Sequence, residues 1–153
     1  MRLLLQRVTH ASVLVDGEKV GAIGPGLVAL VGVGADDTPA VAAALARRTV
    51  DLRIFRDDAG KTNLSLLDVG GEVLAVSQFT LYADTSRGRR PSFIRAAPPE
   101  QGQELYGVYA DAVAAHGVRV ARGVFGAEMA VDLVNDGPMT IWLDSEGGGS
   151  TGP

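Results

Sequence analysis

The chain has 153 residues, 46% of them apolar and 21% charged, with a formal net charge of −4. That length and balance predict one folded domain with a full core and exclude global disorder. There is no cysteine, which excludes disulfides, thiolate catalysis and cysteine-ligated metals, and the net negative charge argues against a nucleic-acid coat while leaving room for a local basic patch.

The first element, "LLLQRVTHASVLVD", alternates well enough for one long strand or two strands with a bend. Its apolar run is too short for a signal sequence or membrane span, so a soluble, cytoplasmic protein is expected. "DGEK" turns the chain into "VGAIG", which predicts a hairpin. "GLVALVGVG" is continuously apolar and bounded by glycines, the pattern of a central strand buried on both faces. Thr38-Pro39 then supplies an N-cap and a first-turn proline, and Val41, Leu45, Arg48/Thr49 and Leu52 keep helical spacing. Asp57 and Asp58 before "AGK" read as turn residues. "GGEVLAVSQFTL" reads as a strand entering from a Gly-Gly turn, with Ser77, Gln78, Phe79 and Thr80 at its end.

"RGRRPSFIR" follows and places Arg87, Arg89, Arg90 and Arg95 within one short loop, either a solvated surface or a polyanion contact. A second helix is predicted from Pro99-Glu100 to Ala115, with Leu105, Val108, Tyr109, Ala112 and Val113 on one face and Gly117 as its stop. "VRVARGVF" and "EMAVDLV" read as strands. "LVNDGPMTIWL" reads as a hairpin whose turn, Asn135 to Gly137, carries an extra Pro138 into the last strand, "MTIWL". Trp142 in that strand reads as a core or interface anchor. "EGGGSTGP" is Gly-rich and expected to be disordered, so the domain is placed at residues 1–144 and a tail at 145–153. Strands outnumber helices, and the two helices are separated by strand. This predicts a mixed α/β domain, β-rich, with one mixed sheet or two packed sheets and both helices on one side.

The chemistry-bearing inventory is thin. His10 lies in or beside a strand, and His116 at a helix C-terminus complements the helix dipole. No metal-ligand spacing, phosphate-cradling loop or dinucleotide fingerprint is present. A Ser-His-Asp triad cannot be assembled from two such histidines. What remains is backbone N–H and C=O groups, with hydroxyls at strand ends; "SQFTL" is the best candidate for such a site, against the alternative of a plain alternating strand.

"QRVTHASVLVDG", "IGPGLVALVGV", "RIFRDDAGKTNLS", "VSQFTLYADTSRGRRPSF" and "LVNDGPMTIWL" together resemble the D-aminoacyl-tRNA deacylase (D-tyrosyl-tRNA deacylase) family. The match runs collinearly over about residues 1–143. It implies the family's fold and hydrolysis of the ester joining a D-amino acid to the 3′ end of tRNA. Removal of glycine from mischarged tRNA is implied with it. So are a homodimer and no required metal or cofactor. In the family the Gly-Pro bond, here Gly137-Pro138, is cis and enters the partner subunit's active site. Carbonyls of Gly137 and Pro138 would then receive the substrate ammonium or crowd the place an L side chain needs. Ser77, Gln78, Phe79 and Thr80 are implied as the catalytic wall, with Thr80 as nucleophile or positioner. Arg87, Arg89 and Arg90 gain weight as tRNA contacts. Thr62 and Met139 stand where Met and Val are common, which bears on packing and substrate preference rather than on activity.

Overall fold

The computed structural model describes residues 1–147. In chain order it contains β1 (Arg2–Val15), β2 (Glu18–Ile23), β3 (Gly26–Gly32), α1 (Pro39–Asp51), β4 (Phe55–Arg56), β5 (Thr62–Leu64), α2 (Leu66–Val69), β6 (Glu72–Ser77), a 3₁₀ turn (Phe79–Tyr82), α3 (Pro99–Ala115), β7 (Val120–Arg122) and β8 (Ala130–Asp144). The local chemistry explains the boundaries. Asp16 and Gly17 both take positive φ, the requirement of a two-residue hairpin turn between β1 and β2. The Thr38 hydroxyl accepts from Val41 N at 3.3 Å at the start of α1, with Pro39 in the first turn. α3 stops at His116, followed by Gly117 at φ +86°.

The main sheet runs β2-β1-β3-β6-β7, with β8 on the other side of β1. β3, β6 and β7 are parallel, while β2, β3 and β8 run antiparallel to β1. Alternation along β3 and β6 divides the core. Leu27, Ala29, Val31, Val73 and Ala75 pack with Leu45 and Val50 of α1 and Leu105, Tyr109 and Val113 of α3. Val28, Leu74 and Val76 point the other way, toward Val8, Ala11, Val13 and Ile23. The two long helices share one face, and β3 and β6 are buried on both, as expected of parallel strands. The second core exists because the sheet curls until β2 meets β7. A Cβ added at Gly21 would lie 2.9 Å from the Arg122 carbonyl oxygen, so glycine permits that approach.

Three expectations change. Residues 130–144 are not a hairpin: both halves pair with β1, Ala130–Asn135 with Leu14–Val8 and Thr140–Asp144 with Gln6–Arg2. Between Gln6↔Thr140 and Val8↔Asn135 one residue of β1 opposes four of β8, so Asp136 to Met139 bulge out of a continuous edge strand. A turn signal without a reversal arises because β1 is long enough to pair with both flanks. The β6 strand stops at Ser77, since Gln78 at φ −147°, ψ 77° leaves the ladder. Of the two readings of Trp142, core or interface anchor, the core one falls, since it is 48% exposed on β8.

Of the Gly-rich tail expected from Ser145, residues 148–153 lie outside the described residues. Ser145 N donates to Met1 O at 2.9 Å, and Glu146 pairs with Arg95. Among the described residues no helix is long and apolar enough to cross a membrane.

Candidate active site

The site is built where β6 ends. Gln78 N still donates to Val31 O of β3 at 2.8 Å, and the chain then tightens into the 3₁₀ turn, with Leu81 N donating to Gln78 O at 3.2 Å. Tyr82, 2% exposed, anchors that turn in the core. From β1, Arg2 lays its guanidinium 4.4 Å from the Tyr82 ring centre and donates to Leu81 O at 3.0 Å. Burial, then the nearby Asp37 carboxylate, pushes the Tyr82 phenol far above its ordinary range, so it stays neutral. The N–H groups of Phe79 and Thr80 open the turn and have no carbonyl of their own turn to bind, and no side chain caps them.

These elements wall a cavity of about 630 Å³. Val31 and Val33 line it from the helix side, Val76 from the other face of the sheet, and Ser77, Gln78 and Phe79 from the end of β6. Pro99 and Gly102 of α3, the segment Phe125 to Ala127, Met129 and Val131 complete the lining. Phe79, 57% exposed, meets Phe93 edge-on at 5.1 Å across the rim. Every lining residue is apolar or an uncharged Ser or Gln; none carries a titratable side chain. Among the described residues no group of three or more His, Asp or Glu could hold a metal ion.

Of the four predicted wall residues, Ser77, Gln78 and Phe79 line the cavity, whereas Thr80 sits just outside it, with its hydroxyl hydrogen-bonded to the Gln78 amide. That amide cannot take up a proton, and among the described residues no base is hydrogen-bonded to the Thr80 hydroxyl. His10 and His116 do not line the cavity.

Gly137 and Pro138 do not line it either, and the bond between them is cis. They sit on the crest of the β8 bulge, held from below by residues that the sequence reading missed. Arg7, 2% exposed, donates through Nε to Asp136 O at 3.1 Å and through Nη2 to Gly137 O at 3.4 Å, and bonds the Ile54 carbonyl through Nη1. Its Nε also lies 3.0 Å from Asp136 Oδ2. Arg56 of β4 donates to Gly137 O at 3.1 Å and to Asp136 Oδ1 at 3.2 Å. One signal for Arg7 was available: it follows Leu3 and Leu5 on the inward face of β1, where an arginine needs buried acceptors. Arg56 gave none. A Cβ at Gly137 would meet only Asn135 Nδ2, at 3.5 Å, so nothing in this chain's packing demands glycine there.

The arginine loop is closed at its neck by Asp84 N to Ser92 O at 2.8 Å and Ser92 N to Asp84 O at 2.9 Å. Hydrogen bonds from the Ser86 side chain and backbone hold the Asp84 carboxyl below its usual range. Arg87, Arg89 and Arg90 are exposed and make no ion pair among the described residues, whereas Arg95 is engaged by Glu146. The loop leads directly into Phe93 and Ala96 at the cavity.

A family model described as D-Tyr-tRNA(Tyr) deacylase matches residues 4–144. A protein of Deinococcus deserti named D-aminoacyl-tRNA deacylase is 60% identical over 144 residues, covering 94% of this chain and 99% of its own length. One of Thermomicrobium roseum with the same name is 61% identical over 145 residues, covering 95% and 94%. A solved structure described as "c-Myc DNA Unwinding Element Binding Protein" superposes with a TM-score of 0.89 at 40% identity, covering 95% of this chain and 99% of that one. A second, of a probable eukaryotic D-amino acid tRNA deacylase, gives 0.82 at 20% identity, covering 93% and 97%, which speaks for the fold alone.

Proposed function

The chain belongs to the D-Tyr-tRNA(Tyr) deacylase family, and from that premise we propose that it hydrolyses the ester between a D-amino acid and the 3′-terminal ribose of tRNA. The observation that carries the chemistry is a cavity walled by Ser77, Gln78 and Phe79 with no titratable side chain on its lining. Such a site can orient an ester and stabilise charge, but it lacks a side-chain base. The N–H groups of Phe79 and Thr80 receive the developing oxyanion. Water adds to the ester carbonyl, the bond to O3′ breaks, and the proton from water reaches O3′. The ribose 2′-hydroxyl, donor and acceptor at once, relays it. Free D-amino acid and tRNA leave. Thr80 acts as a positioner through Gln78.

Chiral selection falls to Gly137 and Pro138. Gly137 O already accepts from Arg7 and Arg56, which favours crowding of an L side chain over capture of the ammonium. Backbone atoms treat all side chains alike, so many D-amino acids are accepted; glycine, with no side chain, also passes. Neither residue lines its own chain's cavity, which supports their acting in the cavity of a second copy, within a homodimer. Arg87, Arg89 and Arg90 contact the phosphates of the acceptor end. Residues 1–144 form the catalytic domain, and the enzyme works in the cytoplasm beside its tRNA substrate.

Incubation with D-tyrosyl-tRNA and with a simple D-tyrosine ester tests the reading. Hydrolysis of the first and not the second is expected. Binding of tRNA without turnover would replace it with a non-catalytic RNA-binding protein, and cleavage of both alike with a small-molecule esterase.

A further inference from the structure

We propose that Arg56 is a positioning residue that sets the stereochemical discrimination of the site by fixing the Gly137 carbonyl; the inference rests on the deacylase reading above and assigns its filter a second support. The two guanidiniums at the bulge divide their work. Arg7 is buried, and its nearer contacts are with Asp136, at 3.1 Å to the carbonyl and 3.0 Å to the carboxylate. Its contact with Gly137 O, 3.4 Å, lies beyond the usual N–H···O range. Arg56 makes the shorter bond, 3.1 Å, to that oxygen, while its Nη1 holds Asp136 Oδ1 at 3.2 Å. The planar fork thus spans carboxylate and carbonyl together, a geometry that lysine cannot copy.

Arg56 also stands on a support of its own. It belongs to the two-stranded β4-β5 ribbon, outside the main sheet. The turn of that ribbon is closed by Asp57, whose Oδ1 accepts from Ala59 N and Lys61 N, each at 2.9 Å. Arg53 fastens the β5 side by donating to Asn63 O at 2.7 Å. The bulge is therefore held from two sides: from beneath by the main sheet through Arg7, and laterally by the ribbon through Arg56. A carbonyl that selects by crowding discriminates only as well as it is held still, and a small displacement admits the side chain it should exclude.

Arg56→Ala tests the clamp without removing a buried group, since the side chain is 48% exposed. Two readouts are taken on the full-length protein. Amide hydrogen exchange across residues 135–140 is expected to rise about ten-fold, the size of one lost charge-assisted hydrogen bond, with exchange in α1 unchanged. The ratio of L-tyrosyl-tRNA to D-tyrosyl-tRNA hydrolysis is expected to rise by a similar factor, with Arg56→Lys between the two. Unchanged exchange across the bulge, or L and D rates that move in parallel, overturns the proposal. A wild-type enzyme that cleaves no D-ester would sink the deacylase reading instead, and bulge exchange would still decide whether Arg56 holds Gly137.

Discussion

Among single residues, Gly137 is where the needs of the fold and those of the proposed function part. The space around its Cα is open within the chain, and its φ is not left-handed. Gly137→Ala should therefore change unfolding free energy by no more than about 0.5 kcal/mol while lowering D-aminoacyl-tRNA turnover; a folded variant with wild-type turnover would show that nothing approaches this carbon. Thr80→Ala addresses the other open role. Loss of a covalent nucleophile costs on the order of 10⁶ in kcat. Among the described residues the Thr80 hydroxyl has only the Gln78 amide as hydrogen-bond partner, so single-turnover rates should fall by less than about 10². The sequence marked Thr80 by its place in "SQFTL" at a strand end, but its role, like that of Gly137, came only through a resemblance. It concealed Arg56, because an arginine next to Asp57 in an exposed turn looks like any solvated charge.

Among the elements, periodicity located the long strands and the two long helices but not the β4-β5 ribbon or α2, and long-range pairing decided what the turn signals meant. Thr38-Pro39 and Gly117 bounded the helices as read, because capping is local. Asn135 to Pro138 had the composition of a reversal, yet β1 pairs with both flanks and turns it into a bulge on one strand. "SQFTL" likewise looked like strand to its end; Tyr82 burying its ring in the core, with Arg2 stacked on it, draws the chain into a tight turn instead. Neither β1 nor Arg2 is near in sequence to the segment it fixes, so no local pattern could announce them. The curl of the sheet is open to a direct test. Gly21→Val forces the β2–β7 approach apart and should cost about 1–3 kcal/mol in denaturant unfolding; a neutral effect would mean the two edges need not meet.

In the whole molecule, two cores on opposite faces of one sheet carry the fold, and the cavity opens where both reach the end of β6. Burial holds the Tyr109 phenol neutral well above its ordinary value of 10.0, opposed only in part by its Thr49 hydrogen bond. The unfolded chain loses that proton near pH 10 and the folded one keeps it. Tyr109 therefore adds full stability below pH 10 and loses it as pH climbs toward the folded value, by about 1.4 kcal/mol per pH unit. Tyr109→Phe should flatten that alkaline slope and cost about 1 kcal/mol at neutral pH. Catalysis, by contrast, should show no enzyme-side titration between pH 6 and 8, because no titratable side chain lines the cavity.

In the proposed function this uncharged cavity, screened by the Gly137-Pro138 backbone of a second copy, clears D- and not L-amino acids from tRNA. Hydrolysis of D-tyrosyl-tRNA and L-tyrosyl-tRNA, run side by side at equal enzyme concentration, tests it most directly. Rapid loss of the D-ester is expected, with the L-ester no faster than its spontaneous decay. Equal rates on both, or no catalysis of either, would contradict it.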